Sequence, residues 1–529
     1  MKCPPVGQLL KETILVPFPI ESALSGIMRY HDRMWYRRTF TIPPEWAGER
    51  VLLNFGAVDW EATVYVNGHT VGSHRGGYDA FSFDITDQLN GGANELIVNV
   101  YDPTNLGNQP MGKQRLYGTG VWYTPASGIW QTVWLEPVPA AFITHLQMIP
   151  DIDRQTVQLL VSGQGITTHT IEARVRHANA FVAGALGGVG SPITIPIPLP
   201  HLWSPDDPFL YDIQIDLKSG STLVDHVDSY FGMRKISLQR IGDYVRLMFN
   251  NQFLFQMGVM AQGYWPDGIY TAPTDEALRF DLEQAKALGY NLVRLHMKVE
   301  PARWYYWTDR LGLLVWQDMP AMRDGYVPPD ADRAQFEIEL KELINERRNS
   351  PAIIMWILFN EGWGQYDGVR LTSLVKSWDS SRLVDTASGW REEWTGDVVD
   401  RHSYVDPEAP KPQIDRASVT GEFGGIGLKI PGHTWGIVGY AYKWRKSGAE
   451  LQGAYLSMFL GLQGLKGHSR LERRRVHSAC RHGGRTQRLV DLRSSCNEDR
   501  PGCAQGCPSA SDCHSRAAHR APTVDFNSA

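Results

Sequence analysis

Two glutamates in this chain stand at the ends of apolar runs. Ile353-Ile354-Met355-Trp356-Ile357-Leu358-Phe359 leads into Asn360-Glu361-Gly362-Trp363-Gly364, and a later run ends in Thr420-Gly421-Glu422-Phe423-Gly424-Gly425. A carboxylate at the mouth of an apolar strand is costly to bury without a purpose. The neighbouring glycines leave room for a ligand. Either glutamate alone could be a helix cap or one half of a salt bridge. Two at matching strand ends can divide acid, base and nucleophilic work between them.

The elements that must hold this pair alternate between strand and helix from about residue 250. Strands are expected at Phe255–Met260, Asn291–His296, Leu313–Gln317, Ile353–Phe359, Leu383–Thr386, Val398–His402 and Val419–Phe423. Helical stretches such as Thr274–Leu288, Asp332–Arg348 and Val369–Ser377 lie between them. Seven βα units in a row imply a parallel sheet, and eight would close a TIM (β/α)8 barrel, whose catalytic groups project from the C-terminal strand ends. The eighth strand should follow a helix around Ala441–Leu465, and no clear one is found.

Two β-rich segments precede the barrel. In the first, Val51-Leu52-Leu53-Asn54-Phe55 leads into Thr63-Val64-Tyr65-Val66 and an Asn67-Gly68 turn, a strong hairpin signal. It reads as a jelly-roll β-sandwich with little room before Trp35 for opening strands. In the second, Thr156–Val161, Ile171–Val175, Leu210–Ile215 and Leu223–Tyr230 suit a small immunoglobulin-like β-sandwich. The expected multidomain layout is therefore 1–137 jelly roll, incomplete at its start, 138–237 immunoglobulin-like, 238–466 barrel, and 467–529 an aberrant tail.

That tail is rich in Arg, Ser, His and Cys and lacks either periodicity. It holds Cys480, Cys496, Cys503, Cys507 and Cys513, whereas the body holds only Cys3. Without a CxxC pair, Cys503, Cys507 and Cys513 make a poor metal site. A native disordered tail is one reading. A frameshift near residue 467 is another: one base on, the Arg470–Ala479 stretch can encode the apolar run Gly-Leu-Ser-Ala-Ala-Val-Tyr-Thr-Gln. The net charge of −5 gives no field to recruit nucleic acid or an anionic membrane. No apolar run spans a bilayer, and no signal peptide opens the chain, although its N-terminus reads as truncated. Cytoplasmic, periplasmic and secreted locations all stay open, as does the oligomeric state.

Several motifs carry a resemblance to glycoside hydrolase family 2, the β-galactosidases, β-glucuronidases and β-mannosidases. They are Ser127-Gly128-Ile129-Trp130-Gln131, Leu202-Trp203-Ser204-Pro205, Phe231-Gly232-Met233-Arg234, Asn291-Leu292-Val293-Arg294 and the two glutamate motifs. The resemblance covers about residues 30 to 465 and implies a sugar-binding-like first domain. It implies that Glu361 is the acid/base and Glu422 the nucleophile of a retaining exo-β-glycosidase. Glu361 should then be raised by burial and by the charge of Glu422, with the two carboxyls about 5–5.5 Å apart. Asn360 would bond the sugar 2-hydroxyl, Arg294 would lie near the nucleophile, and Tyr404 and His402 would line the site. Trp435 would form a sugar platform. His296, Asp318 and Trp390 are further strand-end candidates.

The chain departs from that pattern in places. The loop Ala261-Gln262-Gly263-Tyr264-Trp265-Pro266-Asp267 lacks the His-rich segment of many galactosidases. No Asn-x-Lys pair stands where glucuronidases read a carboxylate, which favours a β-galactosidase-like specificity. No divalent-metal triad and no cofactor are expected, and carbohydrate is the one expected partner. The competing function is an inactive carbohydrate-binding or remnant protein with an unclosed barrel.

Overall fold

The computed structural model describes residues 3–404, 406–433 and 440–466. Along Glu61–Val66 every second residue is buried, with Ala62, Val64 and Val66 fully enclosed. Asn67 and Gly68, at φ 51° and 82°, turn this strand back into His69–Arg75, as a primed hairpin turn requires. These two strands sit in an antiparallel sheet ordered Arg33–Phe40, Asn94–Tyr101, Glu61–Val66, His69–Arg75. A second sheet of Phe81–Asp84, Arg50–Phe55 and Val133–Val138 completes the sandwich. Leu53, Phe55, Val64, Val98 and Val100 form its core. Residues 3–32 add no strand. They run toward the barrel instead, where Thr271 Oγ1 donates to Pro17 O at 2.8 Å.

The second sandwich pairs Phe142–Asp151, Thr156–Gln164 and Ile193–Pro196 in one sheet. Ala180–Gly188, Thr170–His177, Tyr211–Ser219 and Thr222–Phe231 form the other. Its two signature motifs turn out to be joints to the barrel. Trp203 is fully buried and donates its indole N–H to Asp309 O at 2.7 Å. Arg234, 2 % exposed, donates to the carbonyls of Pro351, Ile353 and Ser381. A meander of Ile236–Ile241, Tyr244–Phe249 and Gln252–Phe253 shares a core with the barrel.

Five barrel strands form one parallel sheet: Gly258–Ala261, Leu292–Leu295, Leu314–Asp318, Ile353–Asn360 and Leu383–Ser388. The sixth and seventh, Val398–Tyr404 and Ala417–Gly424, form a parallel pair. The fourth is buried at every position, as its unbroken apolar run demands.

The expectation of seven consecutive βα units is corrected. Helices Asp275–Ala287, Ala302–Leu311, Asp330–Arg347 and Gly368–Trp378 follow the first four strands, and Gly448–Lys466 comes after the seventh. The fifth and sixth strands are followed by loops. The stretch after the sixth strand carries Pro407, Pro410 and Pro412, which remove donors and fix φ against a helix. Among the described residues no eighth barrel strand follows Gly448–Lys466. The stretch read as frameshifted and the cysteine-rich tail lie outside the described residues. No described helix is long and apolar enough to cross a membrane.

Candidate active site

Parallel register brings the strand ends level. Arg294 pairs with Met260 and Trp316, Asn360 with Ser388, and His402 with Glu422. Glu361 leaves the fourth strand in the left-handed region, φ 52°, with its N–H on Ser388 O at 2.8 Å. Such a backbone is uncommon for a residue with a Cβ and concentrates at functional sites. On the seventh strand, a Cβ at Gly421 would stand 2.0 Å from Asp400 Oδ2. Only glycine lets the Asp400 carboxylate pack there and accept the Gly421 N–H.

The two glutamates meet. Carboxylate oxygens of Glu361 and Glu422 and a ring nitrogen of His402 lie within 4.8 Å of one another. Tyr404 bridges the pair, its hydroxyl 2.9 Å from Glu361 Oε1 and 2.7 Å from Glu422 Oε2. One phenolic proton cannot be donated twice. The hydroxyl can serve either carboxylate in turn, and it ties the two oxygens to one donor. Arg294 holds the second carboxylate, donating from Nη1 to Glu422 Oε1 at 3.2 Å. Asn360 Oδ1 accepts from Arg294 Nη2 at 2.9 Å, and its Nδ2 bonds no described residue, so it stays available to a ligand hydroxyl.

His402 alters the expected electrostatics. Ser388 Oγ gives its single proton to Asp400 at 2.6 Å, so the 2.8 Å contact with His402 Nε2 is a donation by the imidazole. Nδ1 stands 3.0 Å from Glu361 Oε1. Both nitrogens donate only in the imidazolium. Burial pushes the ring down, but bonds to Asp400 and Glu361 and the charges of Glu422 and Asp400 raise it to about 9.

The expectation that Glu361 is raised is therefore corrected. Burial does push its carboxyl up. The bond and charge of His402, the Tyr404 bond and the Lys113 charge together take it below the ordinary glutamate range. The expectation that His402 meets sugar is corrected as well, since its side chain is fully enclosed and both nitrogens are engaged.

In His402→Gln the carboxyl of Glu361 is expected to titrate at higher pH than in the parent, as read by carbon-13 NMR of labelled glutamate. An unmoved or lower titration would refute the assignment. Linkage has a definite sign here. The folded histidine titrates near 9 and an unfolded one near about 6.5. Its stabilising contribution is full below the lower value and lost as pH rises through the upper one.

The remaining candidates sort by contact. Arg294, 3 % exposed, holds Asp318 through two bonds of 3.0 Å. His296 Nδ1 joins the same carboxylate at 2.8 Å. Trp390 is half exposed and lies edge-on to His402 and Tyr404. Trp435 lies outside the described residues. Tyr442 stacks on Tyr404 at 3.8 Å between centroids. Glu361, His402 and Glu422 are grouped closely enough for a cation. An imidazolium donating from both nitrogens offers no lone pair, however, and Arg294 already supplies the positive charge.

Sequence reading missed two residues brought from the first sandwich. The loop joining Asn94–Tyr101 to Gly128–Ile129 carries Lys113 and Trp122 to the barrel mouth. Trp122 stacks on Trp363 at 4.7 Å, and the Lys113 ammonium lies 4.7 Å from the Trp363 ring centroid. The available signal was loop length, since long strandless loops are commonly functional.

Similarity to known proteins covers the same architecture. Residues 12–139 match the sugar binding domain of glycosyl hydrolases family 2, 141–234 match a second family 2 domain, and 267–422 match its TIM barrel domain. A putative β-glucuronidase of Formosa agariphila is 26% identical over 413 residues, 70% of this chain and 48% of the relative. A β-galactosidase of Thermoanaerobacter pseudethanolicus is 26% identical over 67% of this chain and 48% of its own length. The chain thus spans about half the length of these curated relatives. Among solved structures, a β-glycosidase from Bacteroides vulgatus superposes with TM-score 0.61 at 25% identity, covering 73% of this chain and 51% of that one. A β-glucuronidase from Ruminococcus gnavus shares the fold, with TM-score 0.64 at 20% identity over 76% of this chain and 72% of the other. Three consecutive domain matches, in order and over the sandwiches and barrel described above, make this chain a member of glycosyl hydrolase family 2.

Proposed function

We propose that the chain is a retaining exo-β-glycosidase acting by double displacement on terminal β-linked sugars. The observation that carries this is the Glu361–Glu422 pair, with carboxylate oxygens within 4.8 Å and one tyrosine bridging them. An inverting enzyme needs about 6.5–9.5 Å between carboxyls to admit water. Glu361 Oε2 bonds no described residue and is the atom free to protonate the glycosidic oxygen. Glu422 attacks the anomeric carbon as that bond breaks, releasing the aglycone alcohol and leaving a glycosyl ester. Glu361, now ionised, takes a proton from water, whose oxygen displaces Glu422 and restores the β-configuration.

β-Galactosidase-like specificity is the sugar assignment favoured by the missing Asn-x-Lys pair, and both β-galactosidase and β-glucuronidase occur among the relatives. A chromogenic panel of β-galactoside, β-glucuronide and β-mannoside tests turnover. A 2-deoxy-2-fluoro glycoside with a dinitrophenyl leaving group should label the peptide containing Glu422, as read by mass spectrometry. Turnover with inversion, or a label on another residue, overturns the mechanism. The second reading, sugar binding without turnover, draws on the seven barrel strands among the described residues. Saturable sugar binding with no hydrolysis of the panel would favour it.

A further inference from the structure

Behind the catalytic pair lie two buried carboxyls that the double displacement does not use. Asp385, on the fifth strand, is 2 % exposed, and Asp400, on the sixth, is 5 % exposed. The one ion pair that either makes among the described residues is with His402, whose Nε2 lies 3.8 Å from Asp400 Oδ2. Burying a carboxylate without a close cation is expensive.

The hydrogen bonds from Asp400 to Glu361 have a fixed direction. Gly421 N–H donates to Asp400 Oδ1 at 2.5 Å, and the Ser388 hydroxyl donates to Asp400 Oδ2 at 2.6 Å. Ser388 Oγ then accepts from His402 Nε2 at 2.8 Å, and His402 Nδ1 donates to Glu361 Oε1 at 3.0 Å. An ionised carboxylate only accepts, so the order is imposed from the Asp400 end. Asp385 stands beside it poorly served. Its Oδ1 accepts the Ala387 N–H at 3.3 Å, its Oδ2 meets no donor, and its side-chain neighbour is the Asp400 carboxyl. One proton held between two such carboxyls satisfies both.

The charges facing this chain require that proton. Five carboxyls converge here, namely Asp318, Glu361, Asp385, Asp400 and Glu422. Arg294, His402 and Lys113 bring at most three positive charges, the last from the first sandwich. Burial pushes His296 down and leaves it neutral, and burial together with the charge of Glu422 keeps the Tyr404 phenol protonated. A neutral site thus needs two carboxyl protons, one for the acid step of Glu361 and one elsewhere. Burial and the Asp400 charge push Asp385 well above the usual aspartate range. Burial raises Asp400 too, but the bond and charge of His402, the charge of Arg294 and the Ser388 bond take it below that range.

We propose that Asp385 and Asp400 are positioning residues for the acid/base glutamate: they hold one proton between them, and Asp400, the last acceptor of the chain through Ser388 and His402, sets the charge that His402 presents to Glu361. This rests on the glycosidase reading for the role of Glu361 and adds two residues that do not touch the sugar. Its consequence is sharpest in Asp400→Asn. Gly421 N–H needs an acceptor, so the amide oxygen takes the Oδ1 place and the amide N–H2 group faces Ser388. Ser388 then accepts from that amide and donates to His402 Nε2, which releases its proton to solvent. Neutral His402 still donates from Nδ1, so Glu361 keeps its bond and loses the adjacent cation.

Nitrogen-15 NMR of labelled histidine, with the His402 signals identified by their loss in His402→Gln, reads this charge. At about pH 8, where an ordinary histidine is neutral, the parent should show both ring nitrogens of His402 protonated. Asp400→Asn should show Nδ1 alone protonated. Infrared spectra at the same pH should contain a protonated-carboxyl band that disappears in Asp385→Asn while His402 stays charged. A neutral His402 in the parent, or a parent-minus-Asp385→Asn spectrum that shows only a lost carboxylate, overturns the proposal whether or not Asp400→Asn folds. Turnover supplies a separate readout. In Asp400→Asn the high-pH limb of kcat/KM, which reports the acid Glu361, should move up by about one pH unit or more. A profile lowered at every pH with its limbs in place makes Asp400 structural and overturns its positioning role. If the spectra come out as expected and no glycoside of the panel is hydrolysed, only the glycosidase reading fails.

Discussion

Glu422→Gly is expected to lower turnover of aryl β-glycosides by roughly 10⁴–10⁶-fold, the scale seen when a covalent nucleophile is removed. The residue's two oxygens are held by Arg294 at 3.2 Å and Tyr404 at 2.7 Å, which fixes the attacking atom before substrate arrives. No other described carboxylate is placed to substitute for it. Azide separates the two glutamates. In Glu422→Gly it should enter the vacated space and give the α-glycosyl azide by a single inversion. In Glu361→Gly it should intercept the glycosyl-enzyme and give the β-azide. Glu361→Gly should also cost about 10²–10⁴-fold with poor leaving groups and much less with dinitrophenyl glycosides, which need no acid. Glycine accepts the left-handed backbone at 361, φ 52°, so this variant should fold. Azide products of the opposite configurations would exchange the two roles.

The parts of this site that were legible in sequence are those written into strand ends. Ile353–Phe359 is apolar without interruption because the fourth strand is buried on every side, and the first polar residues after it must sit at its mouth. The same reasoning reaches Arg294, His402, Tyr404 and Glu422, since parallel register makes strand ends coplanar. The proton on His402 was not legible. It depends on Ser388 spending its hydroxyl hydrogen on Asp400, a contact between two strands that no spacing announces. Reading burial and Glu422 alone gave Glu361 the opposite direction from the one its hydrogen bonds impose. Lys113 was hidden for another reason. Periodicity describes the inside of an element, and Lys113 lies in a loop whose destination is another domain. The family motifs of the second sandwich were visible, but their meaning came only from the contacts of Trp203 and Arg234 with barrel carbonyls.

Arg294→Met is expected to lower folding stability by about 3–5 kcal/mol, because it strands buried carboxylates rather than merely deleting a contact. The Arg294 and Asp318 side chains are 3% and 1% exposed and joined by two bonds. Burial pushes Asp318 up, yet the Arg294 charge and the His296 bond hold it below the ordinary aspartate range. In the parent, a depressed carboxyl contributes stability above its unfolded pKa, lost as pH falls through the folded one. Without Arg294 the sign reverses, since an unpaired buried aspartate is raised and gains stability on protonation. The difference between parent and variant should therefore be largest near neutral pH and shrink toward pH 4, as read from urea midpoints. A deficit that stays constant across that range would mean that lost packing dominates. Arg294→Met/Asp318→Asn separates stability from chemistry. It removes the stranded charge and should regain part of the stability, while turnover stays low because Glu422 and Asn360 still lack the guanidinium that orients both. Recovery of turnover together with stability would show that Arg294 acts through the fold alone.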